Sequence, residues 1–186
     1  MSDRRSFLRG LLALPALPAL GRAKAPAPPC DGGGPTLHEI AGPSFKPDSP
    51  PRTSLLEPGL AGTPIVLSGV VRATSCRIVP GTLLDFWNAD PDGVYDQRGY
   101  RLRGHQVTAA DGRYQLETVL PGPYANRSRH IHVKVRPPGG AAFATQLFFP
   151  GEARNASDPF YRRPLELRPV PGAGPGHFQF DFVVRG

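Results

Sequence analysis

The sequence predicts an all-β fold, an antiparallel β-sandwich that carries an extended N-terminal arm. Its 186 residues include 24 prolines and 22 glycines, and such frequent breakers leave only short regular segments between turns. Within those segments Val, Ile, Leu, Phe and Tyr alternate with polar residues, which is the period of a strand with one buried face. A chain of this length is expected to form one domain around a sizeable core.

Six segments after the arm show this alternation. The third contains the pair Asp111-Gly112, a strong turn signal, and therefore predicts the two strands of a hairpin. Short strands at this spacing are typical of a sandwich, whereas residues 157–167 predict at most a short turn of helix. The six segments are residues 63–74, 81–90, 104–120, 130–138, 142–152 and 176–186.

Residues 1–25 predict an export signal. The order Arg4-Arg5 followed by Phe7-Leu8 resembles the twin-arginine signal. The apolar run behind it is short and holds two prolines, whereas crossing a bilayer requires about 20 apolar residues. We therefore expect no stable membrane anchor and a periplasmic or secreted protein, the alternative being a disordered basic tail. Residues 26–58, rich in Pro, Gly and Ser, predict the extended arm, and residues 59–186 the folded domain.

The charge of the chain gives no indication of nucleic-acid binding. Of the formal charge of +7, residues 1–25 carry +4 from five basic residues and one acidic residue, so the remainder carries only +3. No stripe of Lys and Arg with interleaved aromatic residues is present. The remaining arginines are scattered along the chain and are interpreted as solvated surface residues.

The two cysteines, Cys30 and Cys76, are candidates for a disulfide. In an exported chain such a bond would tie the arm to the domain. The alternative is a pair of free thiols. A zinc site is not indicated, because no second Cys or His lies near either residue at ligand spacing.

The His-x-His pair at His130 and His132 is the strongest signal of chemistry. On a strand the two imidazoles point to one face while Ile131 and Val133 point to the other, so two ligands of a metal would be fixed by backbone geometry. A solvated polar strand face is the alternative interpretation.

Two tyrosines upstream of this pair favour the metal, one six residues before it and the other further back. Tyr124 ends the turn PGPY, and Tyr95 ends a turn-rich loop after a predicted strand. A phenol has an ordinary pKa near 10, but it ionises on a trivalent metal and becomes a hard oxygen ligand. Two phenolates and two imidazoles would suit Fe(III) better than zinc or calcium.

With these motifs in order, the sequence resembles the intradiol ring-cleavage dioxygenases, which include catechol 1,2-dioxygenase and protocatechuate 3,4-dioxygenase. The resemblance extends over about residues 40–150 and would make residues 59–186 the catalytic domain. The motifs that carry it are AGPSF (41–45), GTPIVLSGVV (62–71), DFWNADPDGVY (85–95), GHQVTAADGRY (104–114), PGPY (121–124), RSRHIH (127–132) and TQLFFPGE (145–152).

The resemblance implies a non-haem Fe(III) centre. Tyr95 matches the equatorial tyrosinate of the family, Tyr124 matches its axial tyrosinate, and His130 and His132 match the two histidine ligands. Solvent-derived hydroxide would take the fifth position.

The resemblance also implies roles around the iron. Arg127 matches the arginine that stabilises carbanionic charge on the bound substrate, and Gln146 matches a glutamine near the metal. Trp87 and Arg52 match positions that shape the substrate pocket.

The activity that the resemblance implies is cleavage of a catechol-type diol by O2 to a cis,cis-muconate-type diacid. Ala125 and Ser128 stand where family members usually have proline, and the helical dimerisation segment of catechol 1,2-dioxygenases has no counterpart, so the oligomeric state is left open. The competing hypothesis is a non-catalytic secreted sandwich that binds aromatics or carbohydrate, because one fold hosts many functions.

Overall fold

The computed structural model describes residues 34–186, and the regular secondary structure of this part of the chain is almost entirely strand. The all-β prediction is confirmed. Two 3-10 helices, Ala153–Ala156 and Arg163–Leu165, are the helical elements among the described residues. The strands are β1 (Pro64–Ala73), β2 (Leu83–Asn88), β3 (Arg103–Val107), β4 (Arg113–Val119), β5 (His130–Arg136), β6 (Phe143–Phe148), β7 (Arg168–Pro169), β8 (His177–Gln179) and β9 (Phe182–Val184).

The strands form two sheets that share one core. One sheet has the order β3-β2-β5-β6 and is antiparallel throughout. The other has the order β4-β1-β8-β7, with β9 also paired to β1. The predicted antiparallel sandwich is confirmed, with one local exception: in this second sheet the short strands β8 and β9 run parallel to β1. The exception arises because the final segment of the chain returns along β1 rather than forming a hairpin with it.

Strand β5 positions the His-x-His pair. Ile131, Val133 and Val135 are fully buried in the core shared by both sheets, so the period of two directs His130 and His132 to the opposite face. That face is buried as well, because other parts of the chain cover it. The alternation read from the sequence therefore fixes the side from which both imidazoles emerge.

The described part of the arm, residues 34–58, lies extended across both sheets. Its backbone N–H groups donate to one strand after another: Thr36 to Val183 at 2.8 Å, Glu39 to Ala144 at 2.8 Å, Arg52 to His105 at 2.9 Å and Leu55 to Glu117 at 2.8 Å. These bonds provide partners for backbone N–H groups of a segment that has no regular secondary structure of its own. The arm thereby closes over the face of β5 that carries the histidines.

The predicted export signal of residues 1–25 and Cys30 lie outside the described residues. Cys76 lies in the exposed turn after β1, and its pairing with Cys30 stays a prediction. Within residues 34–186, the structure contains no helix with the length and apolar character that crossing a membrane requires.

The predicted C-terminal strand is interrupted, and Gly69 shows why. Phe180 and Asp181 stand between β8 and β9; the Phe180 N–H donates to the Ser68 carbonyl at 3.0 Å, and the Asp181 carboxylate accepts the Val70 N–H at 3.1 Å. The two backbones approach so closely that a Cβ on Gly69 would lie 1.8 Å from the Phe180 carbonyl oxygen. Glycine is required where backbones meet at such a bulge.

We expect the substitution Gly69→Ala to lower the free energy of unfolding by about 3 kcal/mol, because the added methyl group overlaps backbone that cannot move without breaking the β1–β9 pairing. Urea unfolding followed by tryptophan fluorescence measures this. The matched control is Gly34→Ala, where an added Cβ meets no atom within 4 Å. Equal unfolding midpoints for the two variants would contradict the close approach.

Candidate metal centre

Three buried polar side chains converge on one point beneath the arm. The Nε2 atoms of His130 and His132 lie 3.1 Å apart, and the Tyr95 hydroxyl lies 3.3 Å from Nε2 of His130. These residues are only 3%, 5% and 6% exposed. Donor atoms on one metal ion, with bonds of about 2.1 Å at angles of 90–120°, stand roughly 3.0–3.6 Å apart. The observed spacing fits such a set of ligands.

The hydrogen bond behind His130 fixes its tautomer. Its Nδ1 lies 2.7 Å from the Ser128 carbonyl oxygen, which only accepts, so Nδ1 carries the proton and the lone pair of Nε2 points to the shared centre. Burial lowers the pKa of His130 to about 4 and the pKa of His132 well below its usual value. Both imidazoles are therefore neutral at pH 7, the form that binds metals.

His132 is held by packing. Its ring stacks on the indole of Trp87, with centroids 4.9 Å apart and planes 3° from parallel. Its Nδ1 is buried and has no hydrogen-bond partner among residues 34–186. Gly42 of the arm lies directly over the ring, where a Cβ would be 3.6 Å from Cε1. The arm and β2 thus clamp this imidazole from two sides.

Tyr95 and Tyr124 lie side by side but in different environments. Burial raises the pKa of the Tyr95 phenol, and the charges of Arg127 and Arg103 offset part of this effect. Tyr124 packs its ring edge-on against that of Tyr95, with centroids 5.4 Å apart, and is 39% exposed. Its hydroxyl makes no hydrogen bond within the described part of the chain.

The donor set points to a hard, highly charged metal. The candidate donors beside the two imidazoles are the phenols of Tyr95 and Tyr124; no group of three or more His, Cys, Asp or Glu side chains among residues 34–186 is arranged to hold a metal. A buried phenol ionises only next to a strong positive charge, and phenolate is a hard oxygen ligand. The four predicted ligands therefore fit ferric iron.

Arg127 and Gln146 form a network at the edge of this centre. Nη2 of Arg127 donates to the side-chain oxygen of Gln146, whose amide nitrogen donates to the Ile40 carbonyl at 3.1 Å. Gln146 is fully buried and stands opposite His132 in the β5–β6 register. The network connects the arginine to the arm through β6.

The two predicted pocket residues are placed differently. Trp87 is 1% exposed and stacks on the ring of His132, so it packs against a candidate ligand, and a contact with substrate stays a prediction. The Arg52 guanidinium donates to Glu57 and to the backbone carbonyls of Tyr100 and Arg103. Within the described residues it makes no hydrogen bond to the four ligands, and its contact with substrate stays a prediction.

Sequence reasoning missed Arg103 and Asp158. Arg103 was expected on the solvated surface but is 2% exposed. It donates to the Ser44 carbonyl at 2.6 Å and, through Nε and Nη2, to the Asp96 carbonyl at 3.1 and 2.9 Å. Its partners are backbone groups, which leave no signal in the sequence. Asp158 binds Arg127, and its one signal was the turn-forming pair Asp158-Pro159.

Comparison with known proteins assigns the family. The family model described as "Dioxygenase" matches residues 40–166. The chain is 28% identical to the protocatechuate 3,4-dioxygenase beta chain of Burkholderia cepacia, over 99% of this chain and 88% of that one.

The chain belongs to the intradiol dioxygenase family.

A solved structure and a further relative extend the comparison. The dioxygenase domain of a dioxygenase and carbohydrate-binding protein fusion from Streptomyces sp. SirexAA-E is 49% identical, with a TM-score of 0.78 over 82% of this chain and 99% of that one. The match to chlorocatechol 1,2-dioxygenase of Pseudomonas putida is 29% identical and covers 47% of this chain. It spans only 43% of that relative's length.

We expect the substitution Arg103→Met to lower the free energy of unfolding by about 2–4 kcal/mol, because it leaves the buried carbonyls of Ser44 and Asp96 without donors. These carbonyls join the arm to the loop that carries Tyr95. Urea unfolding measures the effect, and Arg98→Met is the control, since Arg98 is exposed. If both variants unfold at the wild-type midpoint, Arg103 does not hold this loop.

Proposed function

We propose that the protein is a non-haem Fe(III) intradiol dioxygenase that cleaves a catechol-type ring with O2. In this proposal Tyr95, Tyr124, His130 and His132 hold the iron. The observation that carries it is the convergence of two neutral imidazole nitrogens and a buried phenol oxygen, with neighbouring atoms 3.1 and 3.3 Å apart. A second phenol stands beside the first.

The names of the relatives support this reaction class. The matched proteins are named as dioxygenases of protocatechuate and chlorocatechol, and hydroxyquinol 1,2-dioxygenase of Nocardioides simplex is 26% identical. All of these names refer to catecholic diols. We propose the same substrate class for this chain.

Each residue of the site has a defined task in this reaction. Ferric iron, when bound, would act as a Lewis acid that gives a chelated diol carbanionic character. The oxygen of Tyr124, a half-exposed residue whose hydroxyl makes no hydrogen bond to the described residues, would accept one of the two diol protons. The neutral Nε2 atoms of His130 and His132 and the oxygen of Tyr95 would remain bound throughout.

Arg127 would stabilise the negative charge that develops on the ring. Its guanidinium is held beside the centre by Gln146, and a fixed charge in a buried site contributes about 3–4 kcal/mol to a transition state. The bond between the two hydroxylated carbons would break, and both oxygen atoms of O2 would enter the product. The cis,cis-muconate-type diacid would contain all the atoms of the diol and of O2, so the reaction would require no further reductant.

Oxygen uptake with a panel of catechol, protocatechuate, hydroxyquinol and larger catecholics, with product identification by mass spectrometry, tests the proposal. We expect uptake of one O2 per diol cleaved and a ring-opened diacid that contains both oxygen atoms of ¹⁸O2. Removal of iron by a chelator should stop uptake, and ferric or ferrous iron should restore it. A colourless, iron-free protein that binds diols without consuming O2 would support the binding module instead.

We expect Tyr124→Phe to weaken and shift the visible tyrosinate-to-iron absorption band and to slow turnover, because one phenolate ligand is lost. Absorption spectroscopy and metal analysis measure this on the same sample. Tyr100→Phe is the matched control, since the Tyr100 hydroxyl donates to the Pro47 carbonyl away from the ligands. An unchanged spectrum in Tyr124→Phe would remove this residue from the ligand set.

A further inference from the structure

Asp158 is a buried carboxylate next to the candidate metal centre. Its side chain is 0% exposed. It accepts the Nε–H of Arg127, at 3.0 and 2.9 Å from its two oxygens, and the backbone N–H groups of Ser128 at 2.7 Å and Phe160 at 2.9 Å. Burial raises the pKa of this carboxyl, but those N–H groups and the guanidinium lower it more, so it is ionised at neutral pH.

These contacts hold the Arg127 guanidinium on three sides. Asp158 binds Nε, Gln146 accepts from Nη2, and the ring of Phe160 lies 4.5 Å from the guanidinium carbon. Of the three guanidinium nitrogens of Arg127, only Nη1 has no hydrogen-bond partner among the described residues. The Arg127 side chain as a whole is 15% exposed, and Nη1 is the guanidinium nitrogen that these residues do not use.

The same carboxylate also supports a ligand. Ser128, whose N–H donates to Asp158, accepts the Nδ1–H of His130 at its carbonyl. The Ser128 hydroxyl donates to Asn155 at 2.6 Å, and Asn155 donates to the Phe149 carbonyl at 2.9 Å. The chain around Ser128 is thereby fixed at several points, of which Asp158 is one.

We propose that Asp158 is a positioning residue for ring cleavage, which holds the Arg127 guanidinium so that Nη1 meets the reacting diol. The inference rests on the proposed function and deepens it. An arginine has several rotatable bonds and would otherwise sample many positions. A charge-assisted bond at Nε leaves the guanidinium ready where negative charge develops, without reorganisation during the reaction.

A double-mutant cycle separates positioning from general stability. Asp158→Asn keeps one of the two oxygens that accept the Ser128 and Phe160 N–H groups and removes the charge that orients Arg127, so some loss of stability is expected beside the effect on turnover. We expect kcat to fall about tenfold to hundredfold from the misplacement, with iron content and the visible band unchanged. We expect Arg127→Ala to lower kcat by about 10²–10³-fold.

The double variant decides the point. If Asp158 acts through Arg127, adding Asp158→Asn to Arg127→Ala should lower kcat by no more than about twofold further, because the pair acts as a unit. Independent, multiplicative losses would overturn the proposal. So would turnover within twofold of wild type in Asp158→Asn alone.

Asp181→Asn is the matched control. Asp181 is likewise a buried carboxylate, 4% exposed in its side chain, that pairs with an arginine, Arg168, and accepts a backbone N–H. It lies at the bulge between β8 and β9, outside the candidate centre. Its variant should lose stability and retain turnover, and a loss of turnover like that of Asp158→Asn would assign both effects to the fold.

Arg127→Lys covers the case in which Asp158→Asn does not fold. Lysine keeps the positive charge but lacks the Nε–H that Asp158 holds, so turnover close to that of Arg127→Ala supports the proposal and wild-type turnover overturns it. Anaerobic binding of catechol to the same proteins should show the same non-additive pattern, and additive losses would overturn the proposal. A wild-type protein that cleaves no diol would instead refute the proposed function.

Discussion

The structure depends on burying two neutral imidazoles and a phenol against one another, with no carboxylate hydrogen-bonded to them among residues 34–186. Strand β5 sends Ile131 and Val133 into the core and His130 and His132 to the opposite face, so the core and the candidate centre are two faces of one strand. Burial makes both imidazoles good ligands and makes the phenolate of Tyr95 costly. Under the proposed function, a cation at the point where the three side chains meet would stabilise the phenolate of Tyr95 and bind both imidazoles.

The arm makes this burial possible. Its segment 40–45 closes the face of β5: the Ile40 carbonyl accepts from Gln146, the Ser44 carbonyl accepts from Arg103, and Phe45 packs on Trp87 with ring centroids 5.0 Å apart. Segment 40–45 has few backbone hydrogen bonds of its own, so its conformation depends on these contacts with the sheets. The burial of the candidate centre depends in turn on this segment. Site and arm are parts of one packing unit.

The sequence predicted those features that follow from local periodicity or from turns. The shared face of His130 and His132 follows from the period of two, and the resemblance of the motifs supplied the tyrosines. Long-range contacts were not predictable: Arg103 meets the Ser44 carbonyl across 59 positions, and Asp158 meets Arg127 across 31. The interruption of the last strand at Phe180 depends on the close approach of its backbone to Gly69 in β1. The sequence of either segment by itself does not predict this contact.

The two phenols differ in how they are held, and this difference assigns them different tasks under the proposed reaction. Tyr95 is 6% exposed, and the following residue, Asp96, anchors its loop by accepting three backbone N–H groups at 2.8–2.9 Å. Tyr124 is 39% exposed on a turn where Ala125 adopts a φ of 48°. A diol that chelates the metal needs a ligand to give way, and moving a half-exposed ring loses far less packing than moving a buried one. Under the proposed reaction Tyr95, His130 and His132 would therefore stay fixed, and Tyr124 would be the ligand able to leave and to take a proton with it.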